Sequence, residues 1–221
     1  LYALQHRGQE SAGIAVAYAD KIVCHKGMGL VSEAFAGGEC EKLPEGDIAI
    51  GHVRYSTTGA STVLNAQPVV FTGKCGRMAL AHNGNLTNAA SLRAAMIERN
   101  AVFQTTIDSE VMAVVINSLS DGDVLTGIKR ACPLFRGSYA LVVMTADKLI
   151  AVRDPYGIRP LCIGAIVDDY VVASESCALD AVGASFMRDV KPGEIVVIDS
   201  SGVHSHMMDG LPDRGGLCIF E

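Results

Sequence analysis

The chain has 221 residues, 49% of them apolar and only 19% charged, a balance that calls for a large core with much of the chain in buried strands. A net charge of −6 with scattered basic residues argues against a nucleic-acid surface. Apolar runs such as that from Ala140 to Met144 are too short to cross a bilayer, and the first residues lack a charged stretch followed by an apolar one, so a single soluble domain without a targeting signal is expected.

Seven cysteines, an odd number without a C-x-x-C pair, suggest reduced thiols in a cytosol rather than a disulfide framework or a structural zinc site.

In chain order, Ile14 to Tyr18 and Ile22 to His25 read as short strands around Ala19-Asp20, followed by a break at Gly27-Met28-Gly29 and a short segment from Val31 to Phe35. Asp47 to Tyr55 reads as a buried strand with its polar groups at the exit, and Arg77 to His82 as another. Helical spacing then covers Ala89 to Arg99, Ser109 to Leu119 and Val124 to Cys132, with Asn88 as an N-cap for the first. From Gly137 onward strands recur: Tyr139 to Met144, Leu149 to Arg153, Leu161 to Ile166, Tyr170 to Ala173 and Glu194 to Ile198. Turn residues separate them, which favours antiparallel pairing. Helices in the middle and sheets on either side predict two stacked sheets covered by helices.

Chemistry concentrates at Ala81-His82-Asn83-Gly84-Asn85, where the run of apolar residues ends. An amide side chain beside a glycine N–H can form an oxyanion hole, and a glycine lets an oxygen approach the backbone closely. An ordinary strand-to-helix loop is the competing reading, and local pattern leaves both open.

Arg54 at a strand exit, followed by Tyr55-Ser56-Thr57-Thr58-Gly59, suits bidentate capture of a carboxylate, although an arginine paired to a structural carboxylate is the default. Asp108 opens a helix, where capping is the ordinary role; beside an arginine and an amide it would complete a pair of opposite charges fitted to a free amino acid. Arg7 reads by default as a salt-bridged structural residue, Asp154 to Pro160 as a tight turn leading into a strand, and His204 and His206 as surface residues on one strand face.

Leu4-Gln5-His6-Arg7-Gly8-Gln9-Glu10-Ser11-Ala12-Gly13-Ile14, His52-Val53-Arg54-Tyr55-Ser56-Thr57, Ala81-His82-Asn83-Gly84-Asn85-Leu86 and Asp108-Ser109-Glu110 together closely resemble the glutaminase domain of the glutamine phosphoribosylpyrophosphate amidotransferases. Arg153 to Leu161, Ser174 to Asp180 and Cys218-Ile219-Phe220-Glu221 extend the resemblance nearly end to end. Relatives that make glucosamine phosphate tend to carry tryptophan where this chain has Tyr55, and tyrosine where it has Gln9.

The resemblance implies an α+β fold, the four-layer αββα sandwich of N-terminal nucleophile hydrolases, with residues 1–221 forming a glutaminase domain and a phosphoribosyltransferase domain lying outside them. It implies that Arg54 grips the α-carboxylate of glutamine, Asp108 its α-ammonium, and that Thr57 lies beside them. Asn83 and Gly84 are implied as the oxyanion hole, and Arg7 as a group ordering the nucleophile. That nucleophile would be an N-terminal cysteine activated by its own amine, expected upstream of Leu1 because none of the seven cysteines takes its place.

Ammonia from glutamine would pass to phosphoribosylpyrophosphate to form 5-phosphoribosylamine in the first step of purine synthesis. Mg²⁺ would serve the other domain, and Cys218 is a candidate ligand of a [4Fe–4S] cluster, with a buried free thiol as the alternative. A cytoplasmic homo-oligomer is implied. The rival expectations are the glutaminase domain of another class II amidotransferase, or a non-catalytic glutamine-binding scaffold.

Overall fold

A computed structural model describes residues 1–55, 60–212 and 216 of the chain. A 3₁₀ helix over Tyr2–Arg7 leads into β1 (Ser11–Tyr18), β2 (Lys21–Met28), the one-turn helix α1 (Val31–Ala34) and β3 (Ile48–Arg54). The hairpin of β4 (Val69–Gly73) and β5 (Gly76–Leu86) precedes α2 (Ala89–Ile97), α3 (Asp108–Ser118) and α4 (Val124–Ala131). Strands β6 (Gly137–Met144), β7 (Leu149–Arg153), β8 (Cys162–Ile166) and β9 (Asp169–Ala173) follow. Helix α5 (Ser176–Val182), β10 (Ser185–Asp189), β11 (Glu194–Asp199) and β12 (Gly202–Met207) complete the order.

The strands form a six-stranded sheet, β12-β11-β7-β6-β5-β4, and two three-stranded sheets, β2-β1-β3 and β10-β8-β9. Every pairing is antiparallel. The small sheets share one layer, which is thus divided where a single sheet was expected.

Period-two alternation sorts the large sheet into two apolar faces. Met78, Leu80, Leu141, Val143, Ile150, Val152, Ile195 and Val197 pack against Val111, Met112, Val115 and Ile128 of α3 and α4. The intervening residues face the small sheets: Ala79, Ala81 and Met144 meet Ala15, Ala17 and Ile50 of β1 and β3, while Ala140, Ala151 and Val196 meet Leu161, Ile163 and Val190 around β8. The outer faces of the small sheets are covered in turn by α1, through Val31 and Ala34, and by α5, through Leu179. These four layers are the expected αββα sandwich. Each fully buried large aliphatic contributes about 1.5–3 kcal/mol by leaving water, so the two inner interfaces dominate its stability. No helix among the described residues is long and apolar enough to cross a membrane.

Three elements escape the sequence pattern: β4, α5 and β10. The segment at Val31 proves to be a helical turn. Strand β5 also runs past the expected exit at His82 as far as Leu86, pairing Asn83 with Ala140 and Gly84 with Tyr139 of β6, so the Asn-Gly pair lies within a strand. Asn88 occupies the N-cap position of α2 without a capping bond; its side chain instead joins the Leu134 carbonyl and the Arg136 N–H.

The turn after β7 is fastened by Asp154, which is fully buried. Its Oδ1 accepts the Tyr156 N–H at 2.9 Å, and its Oδ2 accepts the N–H groups of Ile158 at 3.1 Å and Arg159 at 3.3 Å. Arg153 grips the same turn through the carbonyls of Gly157, Arg159 and Val190. Replacing Asp154 by Ala leaves these N–H groups without an acceptor in a dry site, so Asp154→Ala is expected to cost about 3 kcal/mol or more in urea unfolding. A loss under about 1 kcal/mol would show that the turn holds without its carboxylate.

Candidate active site

At one end of the sandwich, where β3 and β5 emerge from the inner layer, a cleft of about 470 Å³ opens beneath the 3₁₀ helix. Arg7, Arg54, Asn83, Gly84 and Asp108 all line it, although their positions span a hundred residues of sequence. Thr57 and Cys218 lie outside the described residues.

Arg54, only 4% exposed, ends β3, and its Nη1 donates to Glu10 Oε1 at 2.6 Å. The structural carboxylate anticipated for this arginine is therefore present, and Arg54 lines the cleft as well.

Asp108 differs from the capping residue expected. Ile107 holds the N-cap position, and Asp108, the first residue of α3, turns its carboxylate across to β5. Its Oδ2 accepts the Leu86 N–H at 3.0 Å, and its Oδ1 lies 3.5 Å from His82 Nδ1. Burial pushes its pKa upward, but the His82 contact and the backbone N–H groups outweigh that, so its carboxyl sits below the usual range and stays ionised.

Gly84 has φ +142°, and a Cβ there would stand 2.1 Å from the Ser138 carbonyl oxygen. Glycine is thus required by the neighbouring strand at this position. The Asn83 amide is more telling. Its Nδ2 is buried and, among the described residues, has no hydrogen-bond partner, a state that costs about 1–3 kcal/mol and is rare in folded proteins.

Arg7 and His6 both meet Glu175 at the start of α5, His6 Nε2 at 3.0 Å and Arg7 by a shorter contact. The ion pair ties the 3₁₀ helix to the start of α5 and borders the cleft. Burial tends to raise the Glu175 pKa, but the hydrogen bonds from Arg7 and His6 prevail and lower it.

The sequence reading missed His52 and Gln67, which also line the cleft. Gln67 is 6% exposed. Its Oε1 accepts the His82 N–H at 2.7 Å and its Nε2 donates to the His82 carbonyl at 3.2 Å. The same carbonyl accepts from His52 Nε2 at 3.1 Å. Alternation along β3 places His52 on the face of Ile50 and Arg54, a signal that could have found it.

None of the six described cysteines lines the cleft. Burial raises the thiol pKa values of Cys24 and Cys75, carries Cys162 to about 11 and Cys132 to about 12, and Cys177 is raised as well. These shifts run opposite to those of a reactive thiol. Among the described residues no cluster of three or more His, Cys, Asp or Glu could hold a metal ion.

Fold and cleft together define a sandwich of the N-terminal nucleophile hydrolase type, with an ionised carboxylate, a buried arginine and an amide nitrogen without a partner among the described residues around one space. Residues 52–181 match the glutamine amidotransferase domain, and the chain belongs to that family. It is 50% identical to the amidophosphoribosyltransferase of Synechocystis and 45% identical to that of Bacillus subtilis, aligning over 100% of its own length and 46% of each relative. The solved Bacillus subtilis glutamine phosphoribosylpyrophosphate amidotransferase superposes with a TM-score of 0.90 at 43% identity, covering 98% of this chain and 47% of that one. The chain thus spans about half the length of these relatives.

Burial, with the nearby His82 and Arg54 as smaller influences, pushes the His52 pKa from 6.5 down to about 4. The unfolded chain therefore binds a proton that the folded one refuses between those values, and stability should fall as pH drops from about 6.5 toward about 4. His52→Gln should flatten that part of the acid-unfolding curve, read by thermal melts at stepped pH. An unaltered slope would remove His52 as its source.

Proposed function

We propose that this cleft hydrolyses the side-chain amide of glutamine, and that in the full-length protein the ammonia released displaces pyrophosphate from phosphoribosylpyrophosphate to give 5-phosphoribosylamine. The observation that carries the reading is the meeting in one space of Arg54, Asp108 and the Asn83 Nδ2, which has no partner among the described residues. A free amino acid carries one positive and one negative charge at its α-carbon, and Asp108 and Arg54 offer the matching opposites. The names and identities of the relatives support the same assignment.

In this proposal Arg54 binds the α-carboxylate, with Glu10 steadying the guanidinium, and Asp108 takes the α-ammonium. A cysteine thiolate ahead of Leu1 in the full-length chain attacks the amide carbon, and Leu1 itself lines the cleft. As the C=O bond becomes a C–O⁻, the Asn83 Nδ2 and the Gly84 N–H stabilise the oxyanion. The tetrahedral intermediate collapses as the amide nitrogen takes up the proton that the cysteine's own amine had drawn from the thiol and leaves as ammonia, and water then cleaves the thioester to glutamate and the free thiol. Arg7, held by Glu175, borders the nucleophile.

In the full-length protein, Asn83→Ala should lower the glutaminase kcat by about 10²-fold or more, since a single oxyanion donor is worth that much. Turnover near wild type in a steady-state glutaminase assay would take Asn83 out of the chemistry. Arg54→Lys should act mainly on the glutamine KM, because a point charge cannot reproduce a planar fork. An unchanged KM would reassign Arg54 to its Glu10 pair alone.

A further inference from the structure

Strand β4 stops short of the site. Its first residue, Val69, pairs with Leu80, so β5 has no β4 neighbour from Ala81 to Leu86. In an antiparallel strand a residue turns both its N–H and its C=O to the same side, and the next residue turns them to the other. The N–H and C=O of His82 therefore point to the edge that β4 leaves open, and alternation turns the Gly84 N–H to that same edge.

At His82 the edge is closed by side chains. The carboxamide of Gln67 acts as a substitute peptide, accepting the His82 N–H at 2.7 Å and donating to its carbonyl at 3.2 Å. His52, reaching across from β3, supplies the carbonyl with a second donor at 3.1 Å. Because that carbonyl accepts through a fixed Nε2–H, the His52 Nδ1 is a bare acceptor, and it is buried without a partner among the described residues. Gly13 opposite makes room for the Gln67 main chain: a Cβ there would lie 2.3 Å from the Gln67 backbone carbonyl oxygen.

The His82 carbonyl belongs to the peptide whose nitrogen is that of Asn83, so whatever fixes this carbonyl fixes the plane from which the Asn83 side chain departs. We propose that Gln67 and His52 form a clamp that positions the oxyanion donors of Asn83 and Gly84 while touching no substrate themselves. The inference rests on the glutaminase reading and adds two positioning residues to it. A donor misplaced by about 1 Å can cost on the order of 10²-fold in rate, so the clamp acts on the chemical step, whereas the grip on the charged ends of glutamine belongs to Arg54 and Asp108.

Gln67→Glu in the full-length protein is nearly isosteric; it keeps the acceptor for the His82 N–H and replaces the donor with a repelling oxygen. Its glutaminase kcat should fall about tenfold to a hundredfold with the glutamine KM held within about twofold. His52→Phe should do the same, and His52→Gln, whose amide nitrogen stands near the place of Nε2, should recover most of the loss. An aldehyde analogue of glutamine, whose adduct carries the oxyanion, should lose affinity in step with kcat/KM, while glutamate binding by calorimetry stays constant.

Wild-type kcat in both Gln67→Glu and His52→Phe overturns the clamp, and so does a KM that rises as kcat falls; in either case a strong Asn83→Ala defect keeps the glutaminase reading. Absence of glutamine hydrolysis by the wild-type protein overturns both. Should His52→Phe fail to fold, Gln67→Glu and His52→Gln decide the matter between them.

Discussion

Strands β5 and β6 are buried on both faces, and this constraint orders everything else. One face must satisfy the helices and the other the small sheets, so neither strand can carry a polar side chain along its middle. Met78, Ala79, Leu80 and Ala81 obey that demand without exception. Polar groups can enter only where the layers part, and β5 changes character there, at His82 and Asn83. The location of the cleft therefore follows from packing: it lies at the first point on β5 where one covering layer gives out.

Each charge brought into that space is held by another group. Arg54 meets Glu10, Asp108 meets His82 and a backbone N–H, and Arg7 meets Glu175. Buried ions without partners would lose far more in desolvation than they gain, and removing one partner strands the other. The pairs gain little stability compared with apolar replacements; what they confer is orientation. Asp108 shows this most directly, since its contacts keep it ionised against its own burial. The Glu175 contacts serve a different end, joining the 3₁₀ helix to α5 across the division between the two small sheets.

Much of this was legible in the sequence because burial on both faces leaves an uninterrupted apolar run, and β1, β5, β6, β7 and β11 carry such runs. Helix α3 was legible through Val111, Val114 and Val115, and it is buried from Asp108 to Ile116. Strand β10, by contrast, reads Ser185-Phe186-Met187-Arg188-Asp189; it is an exposed edge, with Phe186 and Met187 about half open, and no alternation marks it. Arg54, Asn83 and Asp108 stood out because their residue types fit an amino acid in a recognised order. Gln67 and His52 did not, since their partners are backbone groups of a strand remote in sequence and nothing local reports such bonds. Asp108 was misjudged as a cap for the same reason: its acceptor role is set by β5 rather than by the helix it begins.

The orphaned atoms sharpen the relation between fold and chemistry. Ser11 Oγ, His52 Nδ1, His82 Nε2 and Asn83 Nδ2 are the buried side-chain polar atoms without partners among the described residues, and three of their four residues line the cleft. At about 1–3 kcal/mol each, such atoms would be removed from a site serving only stability. A protein of ordinary stability tolerates a few of them where a large core offsets the cost. Had the pairing of β4 with β5 begun four residues earlier, its backbone would have covered the edge beside His82 and Gly84, and the Gln67 side chain would have no reason to imitate a peptide. Ending the strand early gives up sheet hydrogen bonds and opens an edge whose donors face the cleft, held in place by side chains.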